Sequence, residues 1–134
     1  MKAKGSRTER ELVALFNKTG NWAAIRVAGS GLTKDPNPDV LAGNGKRHLA
    51  IECKSIKGTI KYLTPEDIDQ IETFARKFGS EPWIAIRFNV RGWYFLKSHQ
   101  LEKTKSLNSI INLEVAEQIG LRFEDLIKGE KQNG

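Results

Sequence analysis

Pro38-Asp39-Val40-Leu41-Ala42-Gly43-Asn44-Gly45-Lys46-Arg47-His48-Leu49-Ala50-Ile51-Glu52-Cys53-Lys54 reads as two strands joined by a tight turn. Asn-Gly readily adopts the positive φ angles of a two-residue hairpin loop. Asn44-Gly45 therefore predicts a turn between strands at Asp39 to Ala42 and His48 to Lys54. Twelve residues separate Asp39 from Glu52, and folding back brings the two together. Side chains alternate along a strand, so Glu52 and Lys54 share one face while Cys53 points to the other. Two carboxylates and one amine thus converge at the end of a hairpin.

The flanking sequence supplies the rest of an α/β domain. Ser6 to Lys18 carries Leu12, Val13, Leu15 and Phe16 at helical spacing, with Ser6 as N-cap, Glu9 three residues on, and Gly20 beyond the end. Trp22 to Val27 reads as a strand, and Ala28 to Pro38, rich in Gly, Ser, Asp, Asn and Pro, as a long exposed loop. Ser55 to Leu63 reads as a second loop. Thr64-Pro65-Glu66-Asp67 then starts a helix: a cap, a proline at the first helical position and two acids that complement the dipole. That helix is predicted to end at Phe78, before Gly79. Trp83 to Phe88 and Trp93 to Leu96 are predicted strands. The tail from Ser106 holds short helices at Leu113 to Gln118 and Phe123 to Lys128 and a frayed polar end. The expected fold is a single domain over residues 1–134, with a central mixed five-stranded sheet flanked by helices.

Length and charge narrow the function classes. A chain of 134 residues suits one domain. Its net charge of +6 is one-sided: residues 1–61 hold 12 Lys and Arg against 5 Asp and Glu, and residues 62–134 hold 10 against 11. Such a half faces either solvent alone or a polyanion such as DNA or RNA. No stretch approaches the roughly 18 apolar residues of a membrane span, and Met1 to Gly5 lacks an apolar signal core. With the single cysteine, Cys53, this leads us to expect a reducing, cytoplasmic setting. His48, His99 and Cys53 are too dispersed for a zinc site.

The hairpin cluster matches what phosphodiester hydrolysis needs. Magnesium, with manganese as a substitute, takes one or two carboxylates and keeps several waters; the backbone carbonyl of Cys53 is a further candidate ligand. The metal orients and acidifies a water and neutralises charge on the phosphate. Lys54 either positions that water or acts as base. The alternative is plain ion pairing, Glu52 with Lys54 or Asp39 with Lys46. Asp35 competes with Asp39 as the aspartate, but only Asp39 follows a proline and opens a strand.

Pro38-Asp39 with Glu52-Cys53-Lys54 resembles the PD-(D/E)xK nuclease signature. The wider chain resembles the archaeal-type Holliday junction resolvases, small homodimeric endonucleases that cut four-way DNA junctions symmetrically. The resemblance rests on Gly5 with Glu9-Arg10-Glu11-Leu12, on Arg26-Val27-Ala28-Gly29-Ser30, on the Asp39 to Lys54 block and on Phe74-Ala75-Arg76-Lys77-Phe78-Gly79. It covers most of residues 3–97 and implies a restriction-endonuclease-like nuclease fold. It implies that Glu9 joins the metal site, although Glu9 could equally be a helix-capping acid. Arg10 and Arg26 match residues implicated in DNA contact and catalysis, and Ser30 matches a catalytic loop serine, although Gly29-Ser30-Gly31 could be a plain turn. Lys2, Lys4, Arg7, Lys34, Lys46, Arg47, Lys57 and Lys61 are expected to join Arg10 and Arg26 on the DNA-facing side. Phe74 and Phe78 lie on an apolar helix face that either covers the chain's own sheet or builds a homodimer. The rivals are another DNA nuclease of this superfamily, sequence- or lesion-specific, and a non-catalytic branched-DNA-binding module. Accessory recombination proteins leave no readable mark in the chain.

Overall fold

The computed structural model describes residues 2–28 and 35–129, with side chains from Ser6 onward. The first elements are α1 (Lys2–Lys18), β1 (Ala23–Arg26), β2 (Val40–Gly43) and β3 (His48–Ile56). They are followed by β4 (Ile60–Leu63), α2 (Pro65–Phe78), β5 (Glu81–Phe88) and β6 (Gly92–Leu96). The last are β7 (Glu102–Lys103), β8 (Ser109–Asn112), α3 (Leu113–Ile119) and α4 (Phe123–Lys128). The main sheet has the order β1-β2-β3-β5-β6. It is mixed because β3 and β5 run parallel while the other neighbours are antiparallel. This is the expected five-stranded sheet.

The hairpin forms with its turn one residue later than predicted. Asn44 N–H donates to the Arg47 carbonyl at 3.1 Å, so Gly45 and Lys46 occupy the loop. The Asn44 side-chain oxygen spans it, accepting from the amides of Lys46 at 2.9 Å and Arg47 at 2.7 Å, and Gly45 supplies the positive φ of 94°. Moving the turn shifts the pairing by two residues, which preserves the faces. Val40 pairs with Ile51, and Asp39 N–H also donates to the Ile51 carbonyl, so Asp39 meets β3 beside Glu52.

Alternation in β3 and β5 divides the interior in two. Leu49, Ile51, Cys53, Trp83 and Ala85 pack with Leu12 and Phe16 of α1 and Leu126 of α4 on one face. Ala50, Ile84, Ile86 and Phe88 pack with Ile71 and Ala75 of α2, Ala116 of α3 and Ile111 of β8 on the other. The helix α2 runs as expected: Thr64 and Asp67 close a reciprocal capping box, Pro65 opens the helix, and Gly79 caps it at φ 84°.

Three expectations need correction. α1 begins at Lys2, so Ser6 lies inside it and Glu9 is free of any capping task. Residues 60–63, expected in a loop, form β4, which joins a second sheet of order β4-β8-β7. Its partner β8 lies nearly fifty residues downstream, so no local pattern marks it. Arg47, expected to face DNA, is 4% exposed. Its Nε and Nη2 each donate to a different oxygen of Glu81 at 2.9 Å, and its Nη1 donates to the carbonyls of Leu126 at 2.6 Å and Gly129 at 2.9 Å. It also lies over the Trp22 ring at 5.6 Å. Arg47 is an internal tie between the hairpin, β5 and α4. No helix among the described residues is long and apolar enough to cross a membrane.

Candidate active site

Asp39 precedes β2 and is held from both neighbouring strands. Its N–H donates to the Ile51 carbonyl at 2.9 Å, and its own carbonyl accepts from Val27 N–H at 2.8 Å. Its Oδ2 accepts from Cys53 N–H at 2.8 Å. The aspartate is therefore clamped to the backbone of the strand that carries Glu52.

Glu52 points to the α2 side of the sheet and is 9% exposed. Burial, then the charge of Asp39, pushes its carboxyl up to about 8. Lys54 Nζ lies 3.5 Å from Glu52 Oε2 and 3.7 Å from Asp67 Oδ1. Burial alone would lower its pKa, but Glu52, Asp67 and Asp39 outweigh this and raise it. Lys54 therefore stays an ammonium at neutral pH. The Cys53 thiol faces the opposite core, and burial first, then Asp39, pushes its pKa well up. Only its backbone is chemically relevant here.

Asp67 is the member that the sequence did not reveal. As a helix-start acid it is expected to serve the dipole, and it does: its Oδ2 accepts from Thr64 N–H at 3.0 Å. Its other oxygen faces Lys54. That pairing becomes visible only once β3 and α2 are packed together.

Glu9 and Arg26 form a second group beside Asp39, with Arg26 Nη1 3.7 Å from Glu9 Oε1. Burial and then Asp39 raise the Glu9 carboxyl, while Arg26 and Arg10 work against them. Among the described residues no three His, Cys, Asp or Glu gather closely enough to hold an ion. The structure thus brings Asp39, Glu52 and Lys54 together and leaves Glu9 nearby on Arg26, rather than in one cluster of three carboxylates.

The remaining expected DNA contacts divide by position. Arg7, Arg10 and Lys57 are exposed, and Arg26 is half-buried. Lys46 is exposed too, but it sits in the hairpin turn, six residues along the chain from Glu52. At roughly 3.3 Å per residue that is about 20 Å from the carboxylates. Ser30 and Lys34 lie outside the described residues, as do the side chains of Lys2 and Lys4. Phe74 is half-buried against the α2-side core, whereas Phe78 is 60% exposed. Their rings stack at 5.0 Å.

Comparison with known proteins agrees with this geometry. A family model described as archaeal Holliday junction resolvase (Hjc) matches residues 1–134. The chain is 42% identical to a crossover junction endodeoxyribonuclease Hjc of Archaeoglobus fulgidus, over 98% of this chain and 99% of that one. It is 36% identical to its counterpart in Methanocaldococcus jannaschii, over 96% and 90%. A solved structure of Archaeoglobus fulgidus Hjc, described as a Holliday junction resolvase from an archaeal hyperthermophile, aligns with a TM-score of 0.83. That alignment has 39% identity and covers 91% of this chain and 97% of the other.

Proposed function

Since the chain belongs to the archaeal Holliday junction resolvase family, we propose that it is a magnesium-dependent endodeoxyribonuclease that cuts four-way DNA junctions. The observation that carries this reading is the meeting of Asp39, Glu52 and Lys54, with Glu52 buried against a second carboxylate. Two such groups repel each other when both are ionised, and a hard dication relieves that repulsion. The donor set fits magnesium in this sense: Asp39 and Glu52 would hold it, with the Cys53 carbonyl as a third oxygen. Bound there, it would supply charge neutralisation and an acidified water.

The chain's own residues do the rest. Asp39 is fixed by Cys53 N–H, so its carboxylate is oriented before any ligand arrives. Lys54, kept charged by Glu52 and Asp67, presents an ammonium to the phosphate or to the attacking water. Arg26 and Arg10 bring positive charge to the same edge and meet the DNA backbone. Junction cleavage should require magnesium and should exceed cleavage of a matched linear duplex. Equal cutting of both substrates would refute junction specificity, and undiminished cutting in EDTA would refute the metal.

The chain is proposed to act as a homodimer, which suits two matched cuts on a substrate of near two-fold symmetry. Support comes from an apolar hollow lined by Ala23, Ile25, Leu41 and Phe78, among others, in which Ile25 is 61% exposed. Phe78 extends this surface to Phe74 and Pro36. Truncating a central aromatic anchor typically costs about 2 kcal/mol or more of association energy. Phe78→Ala, alone and with Phe74→Ala, is thus expected to weaken the dimer by at least about tenfold. Light scattering over a dilution series reads this, and an unchanged mass would assign both rings to the protomer.

A further inference from the structure

A second polar cleft opens beside the active site, and resting on the nuclease reading above we propose that it binds a DNA backbone phosphate away from the scissile bond. The cavity is about 250 Å³ and is lined by Arg7, Glu11, Ser55, Lys57, Arg87 and Asn89, among others. Ser55 and Lys57 stand one and three residues beyond Lys54, and Arg87 pairs with Ser55 across the parallel β3 and β5. The cleft thus lies at the carboxyl ends of two adjacent parallel strands, the usual place for ligands in open α/β sheets. Three cations against one carboxylate mark it for an anion. Ser55 and Arg87 alternate with Lys54 and Ile86, so the cleft opens on the α1 face of the sheet, and DNA crossing the strand ends from the metal site would meet it there.

Glu11 decides how the cleft works. It stands one helical turn from Arg7. Arg87 Nε donates to both its oxygens, at 2.7 Å and 3.1 Å. Arg87 is 29% exposed and Glu11 42%, so the pair is reached by solvent and opens at little cost. Glu11 therefore occupies the guanidinium that a phosphate would take, and holds it oriented until DNA arrives. It competes with the ligand, so removing its charge should tighten binding.

Titration of an end-labelled four-way junction and of a matched duplex, in calcium or EDTA over a salt series, tests this. Arg87→Ala is expected to weaken binding to both DNAs about five- to tenfold and to lower the salt slope by about one. Glu11→Gln is expected to tighten both about two- to fivefold at low salt. Unchanged affinity in either variant, or weakening by Glu11→Gln, overturns the proposal. Circular dichroism separates misfolding from lost contact for Arg87→Ala, and Glu11→Gln, at a half-exposed site, decides the matter if that variant unfolds. A wild type that fails to prefer the junction would sink the resolvase reading alone, since the subsite is read equally on duplex.

Discussion

Glu52→Gln should abolish junction cleavage, by about a thousandfold or more, and should at the same time make the metal-free protein more stable above pH 8. The loss follows from removing one of the two carboxylates proposed to hold the metal and the charge that anchors Lys54. The gain follows from linkage. The buried carboxyl has a pKa of about 8 in the folded chain, against an ordinary 4.5. At low pH both states are protonated and nothing is lost. As pH rises past the ordinary value, the unfolded chain releases the proton and the folded chain keeps it, so stability falls until pH passes about 8. The full penalty is about 5 kcal/mol. Melting in EDTA at pH 4, below the ordinary value of 4.5, and at pH 9 measures it. The variant should match wild type at the lower pH and melt several degrees higher at the upper one. A variant that still cuts, or one with no gain at pH 9, would remove Glu52 from the metal site.

Arg47→Met should be the most destabilising single change outside the apolar cores. The guanidinium satisfies both oxygens of Glu81 and two main-chain carbonyls from a buried position. Methionine fills similar volume but takes the cation and two hydrogen bonds from Glu81 and the guanidinium from both carbonyls, and breaking a buried pair costs about 3–5 kcal/mol. The sign with pH is opposite to that of Glu52. Burial pushes Glu81 up, but the hydrogen bonds from Arg47 and Trp83 outweigh it and hold the carboxyl below its ordinary value. Its contribution is complete above the ordinary carboxylate range and is lost as pH falls through the folded value. Urea unfolding at pH 7 and at pH 3 should therefore show a large difference that narrows in acid. Below its melting temperature the variant should keep the salt slope of wild-type DNA binding. A lowered slope would return Arg47 to the DNA-facing set.

These two residues show where the sequence speaks clearly and where it misleads. Glu52 was legible because chemistry and geometry were local: a turn, a two-residue alternation and a proline-aspartate at fixed distance. Thr64, Pro65 and Gly79 were legible for the same reason, since a cap and a stop each act within four residues. Arg47 was not, because its partners lie 34 to 82 residues away in β5 and α4. The same applies to β4, which has meaning only beside β8. The tail looked marginal in composition, yet Leu126, Ala116 and Ile111 are fully buried, each completing a core face laid down by earlier strands. Asp67 is an intermediate case: the box it closes with Thr64 was readable, but the lysine across from it was not.

Asp67 also gives α2 a mechanical meaning. Counting from it, Phe74 and Phe78 fall seven and eleven positions on, two and three turns along one stripe of the helix. A helix of 14 residues is a stiff rod about 21 Å long. One end carries the stacked Phe74 and Phe78, of which Phe78 is exposed, and the other end rests on the ammonium of Lys54. Closed by the capping box at one end and by Gly79 at the other, the rod would pass a push on the rings along its length toward Asp67. It emerges as a displacement of a carboxylate against a charged amine. α2 is in that sense a lever, with its handle on the protein surface and its tip against Lys54 of the proposed metal site.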